Sequence, residues 1–402
     1  MGLAARLIFV KFSELVTRVA GDGADAWRTH YAAQAAQERG EDVIILSIGD
    51  PPLSTPQPVV ERAVEALRAG DTHYTEARGR VALRQAIATL HGHRSGQRVT
   101  PDEVILACGA QNALLVAALC LSGDGDEVLT FDPLYPTYPA TLEASGARLV
   151  RVPLRAANRF RPDIADLESA ISDRSRALFF ATPGNPSGII FTADELARIG
   201  ELARRHDLWV VVDEVYAGLA PEGRVPSLAE AFPERVVTIG SLSKTHAMCG
   251  WRVGWMIGPK ILMDHAENLL ICMLYGLPGF VQEAALTALQ DTVEAERRVR
   301  EYCGDRVRLM HTLLQGTPGI DLLVPEAGMF MLVDVRGTGL GSDGFTEQLF
   351  REQGVAVMDG GAFGEETRGF VRISFANDEA LITEGCRRIR QFCEGLAAVR
   401  SR

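Results

Sequence analysis

Short apolar runs alternate along the chain with longer stretches in which apolar residues recur at helical spacing. The apolar runs cover residues 104–107, 127–131, 148–152, 177–181, 208–212, 236–239 and 253–257. They are too short for helices and are predicted as strands, while residues 109–121, 137–145 and 192–206 between them are predicted as helices. Thr192 and Glu195 form a capping box at the start of the last helix. This alternation predicts crossover connections and an α/β fold, with helices on both faces of a mostly parallel sheet.

The two ends of the chain show a different pattern from the middle. The predicted N-terminal elements are helices within 11–40 interrupted by a glycine break at 21–23, a strand at 43–48, and helices at 59–68 and 80–91. The predicted C-terminal elements are one long charged helix at 281–316, strands at 328–335, 355–358 and 369–374, and a helix at 378–397. We therefore predict a large domain at 57–285 and a smaller α+β domain built from 1–56 and 286–402.

Composition and charge exclude several classes of protein. The chain has 402 residues, with 47% hydrophobic and 23% charged residues, as in ordinary globular proteins. A net charge of −11 argues against a nucleic-acid partner, which requires a basic surface. The apolar N-terminus contains an arginine within its first ten residues and is too short to span a membrane or to indicate a signal peptide. We expect a cytoplasmic protein that binds neither nucleic acid nor membrane.

Cysteine and histidine positions do not indicate a metal site or a disulfide framework. The seven cysteines include no CxxC pair, and most lie in apolar runs, so they are predicted to be reduced core residues. His91 and His93 lie at a helix end without cysteine or carboxylate neighbours, so no metal is expected.

The stretch 241–255, SLSKTHAMCGWRVGW, contains the most unusual lysine of the chain. Lysine occurs only at positions 11, 244 and 260 among 41 basic residues. A desolvated lysine can lose its proton and attack an aldehyde, whereas arginine stays protonated. Lys244 lies among hydroxyl and glycine residues, a setting that suits a phosphate-bearing aldehyde. An isolated Ser-x-x-Lys is more often a solvated loop, but the Gly-Trp-Arg-x-Gly continuation favours a site.

Polar residues also follow the ends of the predicted strands, where ligands bind in open α/β sheets. They are Gly109, Ala110, Gln111, Tyr135, Asn185, Asp213, Tyr216, Ser241, Ser243 and Lys244. Each residue, taken by itself, also has an ordinary structural explanation. Asp213 could be a helix cap, Asn185 a turn residue and Tyr135 a half-buried aromatic. Together they favour a covalently held pyridoxal 5'-phosphate.

The cofactor's groups match these residues one by one. Its protonated pyridine nitrogen needs an anion, which Asp213 supplies at the end of an apolar strand. Asn185 and Tyr216 are donors for the phenolic oxygen, and Tyr135 is a flat partner for the ring. Lys244 would hold the aldehyde and carry the transferred proton, so Lys244, Asp213 and Tyr216 are the catalytic candidates.

The cofactor's phosphate needs hydroxyls, a helix N-terminus and a cation. Ser241, Ser243 and Arg252 supply the first and the last of these. The turn Gly109-Ala110-Gln111, which opens a predicted helix, supplies the backbone N–H groups.

Several longer stretches resemble the fold-type I pyridoxal-phosphate aminotransferases of class I/II, over essentially the whole chain. These stretches, besides the Tyr135 loop, are SIGDPPLSTP (47–56), THYTEARGRVALRQAIA (72–88), TPGNPSG (182–188), DEVY (213–216), SLSKTHAMCGWRVGW (241–255) and VRISF (371–375). The resemblance implies a seven-stranded, mostly parallel sheet. It also implies that Arg372 clamps the substrate α-carboxylate near the Gly49 amide, and that Tyr74 reaches the phosphate site of a partner subunit in a homodimer. Without the resemblance, a surface ion pair is the favoured interpretation of Arg372, and Tyr74 is equally a packed aromatic in its own subunit.

Residues 20–31, 245–255 and 267–280 resemble the arginine–pyruvate transaminases within that family. This resemblance implies L-arginine as amino donor and pyruvate as acceptor. A guanidinium needs an acidic or aromatic site, for which Asp22, Asp25 and Glu14 are candidates by position alone. The alternatives are another amino donor such as aspartate or alanine, a β-lyase of the same fold, and a non-enzymatic ligand sensor. The acidic charge and short N-terminal arm disfavour a sensor with a DNA-binding module.

Overall fold

The computed structural model describes residues 11–20 and 26–400. The α-helices of this part are α1 (Glu14–Ala20), α2 (Arg28–Glu38), α3 (Gln57–Arg68), α4 (Val81–Ser95), α5 (Ala110–Leu121), α6 (Tyr138–Glu143), α7 (Ile164–Ala170), α8 (Ala193–Arg205), α9 (Lys260–Met273), α10 (Gly279–Gln290), α11 (Thr292–Leu314), α12 (Ser342–Gln353) and α13 (Glu379–Arg400). The strands are β1 (Ile44–Ile45), β2 (Val104–Cys108), β3 (Glu127–Asp132), β4 (Arg148–Pro153), β5 (Ser175–Ala181), β6 (Trp209–Asp213), β7 (Val236–Ser241), β8 (Val253–Ile257), β9 (Asp321–Leu323), β10 (Phe330–Asp334), β11 (Val355–Ala356), β12 (Met358–Asp359) and β13 (Phe370–Ser374). None of these helices is long and apolar enough to cross a membrane.

A seven-stranded sheet forms the centre of the molecule, in the order β2-β8-β7-β6-β5-β3-β4. Strands β7, β6, β5, β3 and β4 pair in parallel, and only β8 is antiparallel to its neighbours β2 and β7. The predicted α/β class and the mostly parallel sheet are therefore confirmed. Because β8 runs in the opposite direction, it begins at the edge of the sheet where the parallel strands end. Residues that precede β8 therefore lie beside residues that follow those strands.

Side chains of the central strands are buried on both faces of the sheet, which explains their continuous apolar runs. Leu178 and Phe180 pack into the core on one face, while Phe179 packs into the core on the other. Val212 and Val211 on the neighbouring strand divide between the faces in the same way. Burying one such side chain stabilises the fold by about 1.5–3 kcal/mol, so these central strands hold the site rigidly.

A second, antiparallel sheet has the order β12-β13-β10-β9 and packs with α11 and α13. Ile44 and Leu46 from the N-terminal arm lie in the same core, because β1 pairs with β11 and the Leu46 carbonyl accepts from the Ser374 amide. The arm and the C-terminal part of the chain thus share one core. The division into domains at 1–56, 57–285 and 286–402 stays a prediction.

Three predicted elements are wrong in extent, and two helices were missed. The strand predicted at 355–358 is two short strands, β11 and β12, which belong to different sheets. The helix predicted at 281–316 is two helices, because the chain bends at Asp291 and the Thr292 hydroxyl bonds to the Leu289 carbonyl, competing with the backbone ladder. The strand predicted at 43–48 pairs only at Ile44–Ile45. Helices α7 and α12 were not predicted, although Asp163 caps α7 by accepting from the Ala165 amide. The predicted break at 21–23 lies outside the described residues.

The prediction that most cysteines are core residues is only partly correct. All seven are free, and Cys303, Cys386 and Cys393 are buried. Cys108 and Cys272 are exposed, because the first ends β2 at the sheet edge and the second lies in the last turn of α9.

Candidate active site

A cavity of about 340 Å³ lies at the carboxyl edge of the large sheet. Its wall contains most of the polar residues that the sequence singles out, namely Gly49, Ala110, Gln111, Tyr135, Asn185, Asp213, Tyr216, Ser241, Ser243, Lys244, Arg252 and Arg372. Strands β5, β6 and β7 deliver residues at their carboxyl ends, whereas Arg252 precedes the start of the antiparallel β8. Arg372, on β13, reaches the cavity from the second sheet. The cavity therefore lies where the two sheets meet.

Lys244 is the one lysine of the described chain that faces this cavity. Its Nζ donates to the Gly49 carbonyl at 2.8 Å and lies 3.9 Å from the Cys249 sulfur. Lys260 instead pairs with Asp264 on the surface, and Lys11 is exposed. No carboxylate of the described residues forms an ion pair with Lys244, so its amine is available to a ligand.

Asp213 ends β6 with its carboxylate buried in the cavity wall. It accepts from the Tyr138 hydroxyl at 2.7 Å and from the Val215 amide at 3.1 Å. Burial raises the pKa of Asp213, because no cation of the described residues pairs with it. A cation supplied by a ligand would oppose this shift and stabilise the charged carboxylate.

The N-terminus of α5 and the Arg252 guanidinium form one end of the cavity. Gly109 has a φ of +79° and caps α5 without a side-chain hydrogen bond, so the first N–H groups of this helix point outward. A Cβ on Gly109 would collide with the Arg252 guanidinium, and a Cβ on Gly254 would collide with the backbone of Gly109 and Ala110. The two glycines thus allow a cation and a helix N-terminus to approach each other, which creates an anion site.

The hydroxyl groups of Ser241 and Ser243 at this end differ in whether they can still donate a hydrogen bond to a ligand. The Ser241 hydroxyl donates its single hydrogen to the Val253 carbonyl at 2.7 Å. Ser243 donates its backbone amide to the Ser241 oxygen, and its own hydroxyl lies 2.9 Å from that oxygen. Ser243 therefore has the more available hydroxyl hydrogen. The Gln111 side chain is held by Thr137 and Thr141, so its backbone amide is the group left for a ligand.

Aromatic residues and one amide form the wall beside Asp213. Tyr135 is half-buried, with its ring edge-on to Tyr138 at 6.3 Å. Tyr216 is buried, and burial raises the pKa of its hydroxyl, which therefore stays a donor. Asn185 accepts from Arg372 Nη1 through its Oδ1 at 2.9 Å, so its amide nitrogen is left for a ligand.

Arg372 is almost fully buried, with 1% of its surface exposed. Its guanidinium lies 3.7 Å from the centre of the Phe330 ring and donates to the Ser47 carbonyl at 2.6 Å. Burial lowers its pKa to about 10, and its Nε has no hydrogen-bond partner among the described residues. No carboxylate of the described residues pairs with it, so this cation is placed to receive an anionic ligand. The alternative of a surface ion pair is wrong.

Tyr74 does not line the cavity of its own chain. Its side chain is 86% exposed, and its ring lies 4.9 Å from the Tyr275 ring. The alternative of a packed aromatic in its own subunit is therefore wrong. Glu14 is exposed on α1 and does not line the cavity, and the other acidic candidates, Asp22 and Asp25, lie outside the described residues.

Sequence reasoning missed nine residues of the wall, among them Trp27, Asp50, Tyr138, Cys249 and Phe330. Tyr138 had a weak signal, because it follows Tyr135 at the start of a predicted helix. Phe330 had none, since its position under the Arg372 guanidinium depends on the pairing of β10 with β13. A Cβ on Gly49 would meet the same Phe330 ring, which explains the glycine there.

Glu214 follows Asp213 but faces away from the cavity, toward Arg94 and Ser227. Burial raises its pKa to about 7, from an ordinary value of 4.5. The folded protein therefore holds this proton more tightly, and the stability it contributes is complete below pH 4.5 and lost as the pH rises through about 7.

We expect Glu214→Gln to raise the melting temperature at pH 8 and to leave it nearly unchanged at pH 4.5. The gain at pH 8 is at most about 3 kcal/mol of unfolding free energy. Calorimetry across this pH range checks it, with the exposed Glu222→Gln as control. A constant difference at all pH values would contradict the assignment.

These groups fit pyridoxal phosphate. The buried Asp213 lacks a cation, the N-terminus of α5 beside Arg252 lacks an anion, and the Lys244 amine lacks a carboxylate partner. They match the pyridinium, the phosphate and the aldehyde of that cofactor. No group of His, Cys, Asp and Glu in the described ranges is arranged to hold a metal ion.

The family model described as aminotransferase class I and II matches residues 41–389, and the chain belongs to this family. It is therefore an aminotransferase that depends on pyridoxal phosphate. The predicted family, reaction class and cofactor are confirmed.

The chain is similar to named members of the family. Arginine–pyruvate transaminase AruH of Pseudomonas aeruginosa is 43% identical over 382 residues, which cover 94% of this chain and 97% of that protein. Aspartate aminotransferase of Thermotoga maritima is 32% identical and covers 90% and 94% of the two chains. Among solved structures, aspartate aminotransferase from Thermus thermophilus with maleate superposes with a TM-score of 0.90 at 29% identity, covering 95% and 99%.

Proposed function

We propose that this aminotransferase holds its cofactor and moves its protons with the residues of the cavity at the sheet edge. Lys244 Nζ attaches the cofactor and, once released by the substrate, carries the proton removed from the substrate Cα. The half-buried amine of Lys244, which donates to the Gly49 carbonyl and has no carboxylate partner among the described residues, is the observation that supports this role most directly. When bound, pyridoxal phosphate supplies an aldehyde and a protonated ring that withdraws electrons from the bonds to Cα.

The remaining residues hold and orient the cofactor. Asp213 keeps the ring nitrogen protonated, and Tyr135 lies against the ring. Asn185 and Tyr216 donate to the phenolic oxygen, which supports the ring in one orientation. The α5 N-terminus from Gly109 to Gln111 binds the phosphate together with Ser241, Ser243 and Arg252. Ser241 contributes mainly by holding Ser243 in place, since its hydrogen is used by the Val253 carbonyl.

Arg372 binds the substrate α-carboxylate. Its guanidinium is fixed by Phe330, Asn185 and Ser47, so a carboxylate meets a preorganised donor. Gly49 closes the same side of the cavity, where its small size lets Phe330 approach. A buried cation without a counter-ion binds an anion strongly, because the anion restores the electrostatic stabilisation that the cation lost when burial removed its water.

We propose L-arginine as amino donor and pyruvate as acceptor. The support is the 43% identity to an arginine–pyruvate transaminase over 94% of this chain. The relatives named aspartate aminotransferases are less similar, at 32% identity.

We also propose that the enzyme is a cytoplasmic homodimer in which Tyr74 reaches the phosphate site of the partner. The exposed rings of Tyr74 and Tyr275 lie 4.9 Å apart, and Ile271 and Met273, close to Tyr275 in the chain, are also exposed. Met273 contacts Asn112 on α5, the helix whose first residues line the cavity. Exposed patches of this kind mark protein–protein interfaces. The seven free cysteines suit a reducing compartment.

A substrate screen tests this proposal. The cofactor-loaded enzyme is mixed with each of the twenty amino acids and with pyruvate or 2-oxoglutarate, and the new amino acid and any ammonia are measured. We expect the fastest transfer from arginine to pyruvate, with alanine formed and no ammonia. Faster transfer from aspartate would contradict the proposal that arginine is the amino donor. Release of ammonia and 2-oxo acid in equal amounts would indicate a lyase. Sedimentation should give about twice the chain mass of 43.6 kDa.

A further inference from the structure

The charged groups of the cavity leave one carboxylate without a role. Three cations, Lys244, Arg252 and Arg372, and two anions, Asp213 and Asp50, line the wall. Under the proposed function the cofactor and the substrate α-carboxylate occupy all of these charges except Asp50. No ion pair within the described residues involves Asp50 either.

Asp50 is held at the cavity mouth by the backbone around it. It follows Gly49, whose carbonyl accepts from Lys244, and it is followed by Pro51 and Pro52. Two consecutive prolines restrict the backbone of the loop, so the point from which the Asp50 side chain projects is fixed. Asp50 is exposed and its carboxylate lies beside the Cys249 thiol in the cavity wall, where a donor on a ligand can reach it.

Trp27 contributes an aromatic surface to the same cavity. It precedes α2, and its ring lies edge-on to the His30 ring at 6.0 Å. His30 Nδ1 lies 2.9 Å from the Ser47 hydroxyl, and the Ser47 carbonyl accepts from Arg372. Trp27 is therefore linked by three contacts, the last two of them buried, to the guanidinium proposed to receive the α-carboxylate.

We propose that Asp50 and Trp27 form the subsite for a cationic substrate side chain, a guanidinium or an ammonium. The carboxylate accepts hydrogen bonds from the cation, and the indole face attracts it. Within the residues that the structure describes, each cation of the wall already has a role. A carboxylate on the substrate side chain would therefore find no free cation there. Asp50 would repel such a group, so basic amino acids are favoured over acidic ones. This inference rests on the proposed function.

The test compares arginine with citrulline, which has the same length but a neutral end. We expect Asp50→Asn to lower kcat/KM for arginine about tenfold or more and to change it less than about twofold for citrulline. Trp27→Leu should lower kcat/KM for arginine about two- to thirtyfold, while Trp27→Phe should keep most of it. Glu38→Gln, an exposed carboxylate at the far end of α2, is the matched control and should change neither substrate.

Binding gives a second readout that does not depend on turnover. Calorimetric titration of the cofactor-loaded enzyme with 5-guanidinopentanoate should show an affinity that Asp50→Asn lowers about tenfold, whereas hexanoate should bind both proteins equally. Equal losses for the charged and neutral ligands would overturn the subsite. So would a wild-type enzyme that prefers citrulline to arginine, a result that would also contradict the proposed donor but leave amino transfer by the Lys244 site standing. Absence of all amino transfer would instead reject the proposed function.

Discussion

Lys244→Ala should lower kcat by at least about 10³-fold, because the variant loses both the covalent attachment and the proton carrier. Lys244 Nζ lies 2.8 Å from the Gly49 carbonyl, and no other lysine of the described chain faces the cavity to replace it. Single-turnover absorbance with a saturating amino donor measures the loss. Borohydride treatment and peptide mass spectrometry should label Lys244 in the wild type and no residue in the variant.

Two further variants make this result interpretable. Lys244→Arg keeps the positive charge but cannot lose its proton or attach an aldehyde, so it should be as inactive as Lys244→Ala. Lys260→Ala removes a surface lysine that pairs with Asp264 and should keep full activity. Borohydride labelling of Lys260 in the wild type, or near-normal turnover of Lys244→Ala, would refute the assignment.

Asp213→Asn should lower kcat about 10²–10³-fold, because a neutral amide cannot hold a proton on the cofactor's ring nitrogen. Asparagine has nearly the same shape, and its one oxygen can still accept from the Val215 amide, while its NH2 group can donate to the Tyr138 oxygen, which also accepts. The fold should therefore survive, and the cofactor should bind more weakly without being lost. Steady-state kinetics, a cofactor titration and the melting temperature separate these effects.

Two comparisons distinguish the charge of Asp213 from its hydrogen bonds. Tyr138→Phe removes the donor at 2.7 Å but keeps the carboxylate, so it should cost less than about tenfold in kcat. Glu214→Gln changes the neighbouring carboxylate, which does not line the cavity, and should leave kcat close to the wild-type value. An unchanged kcat in Asp213→Asn would show that the ring nitrogen needs no anion here.

Much of the large sheet was readable from local pattern. Runs such as 209–212 and 253–257 are apolar throughout because their strands are buried on both faces, and their lengths separate them from helices. The same rule failed at Asp291, where a side-chain hydrogen bond by Thr292 interrupts a helical pattern. The direction of β8 had no signal in the pattern, since parallel and antiparallel strands look alike along the chain.

The cofactor end of the site was also predicted, because its residues follow strand ends that a parallel sheet brings to one edge. The substrate end was predicted less completely. Arg372 was identified through a family resemblance, whereas its stacking on Phe330 and its bond to Asn185 come from elements far apart in the chain. Asp50 and Trp27 were missed for the same reason.

The sequence by itself determined the α/β class, the lysine that stands apart from an arginine-rich chain, and the acid and amide that accompany it at strand ends. These features are local, since they depend on residue type, spacing and burial along single strands. Only the tertiary structure decided that Arg252 meets Gly109, that Arg372 is buried without a counter-ion, and that Asp50 and Trp27 border one cavity. Such contacts depend on how two sheets pack, and no short stretch of sequence contains that information.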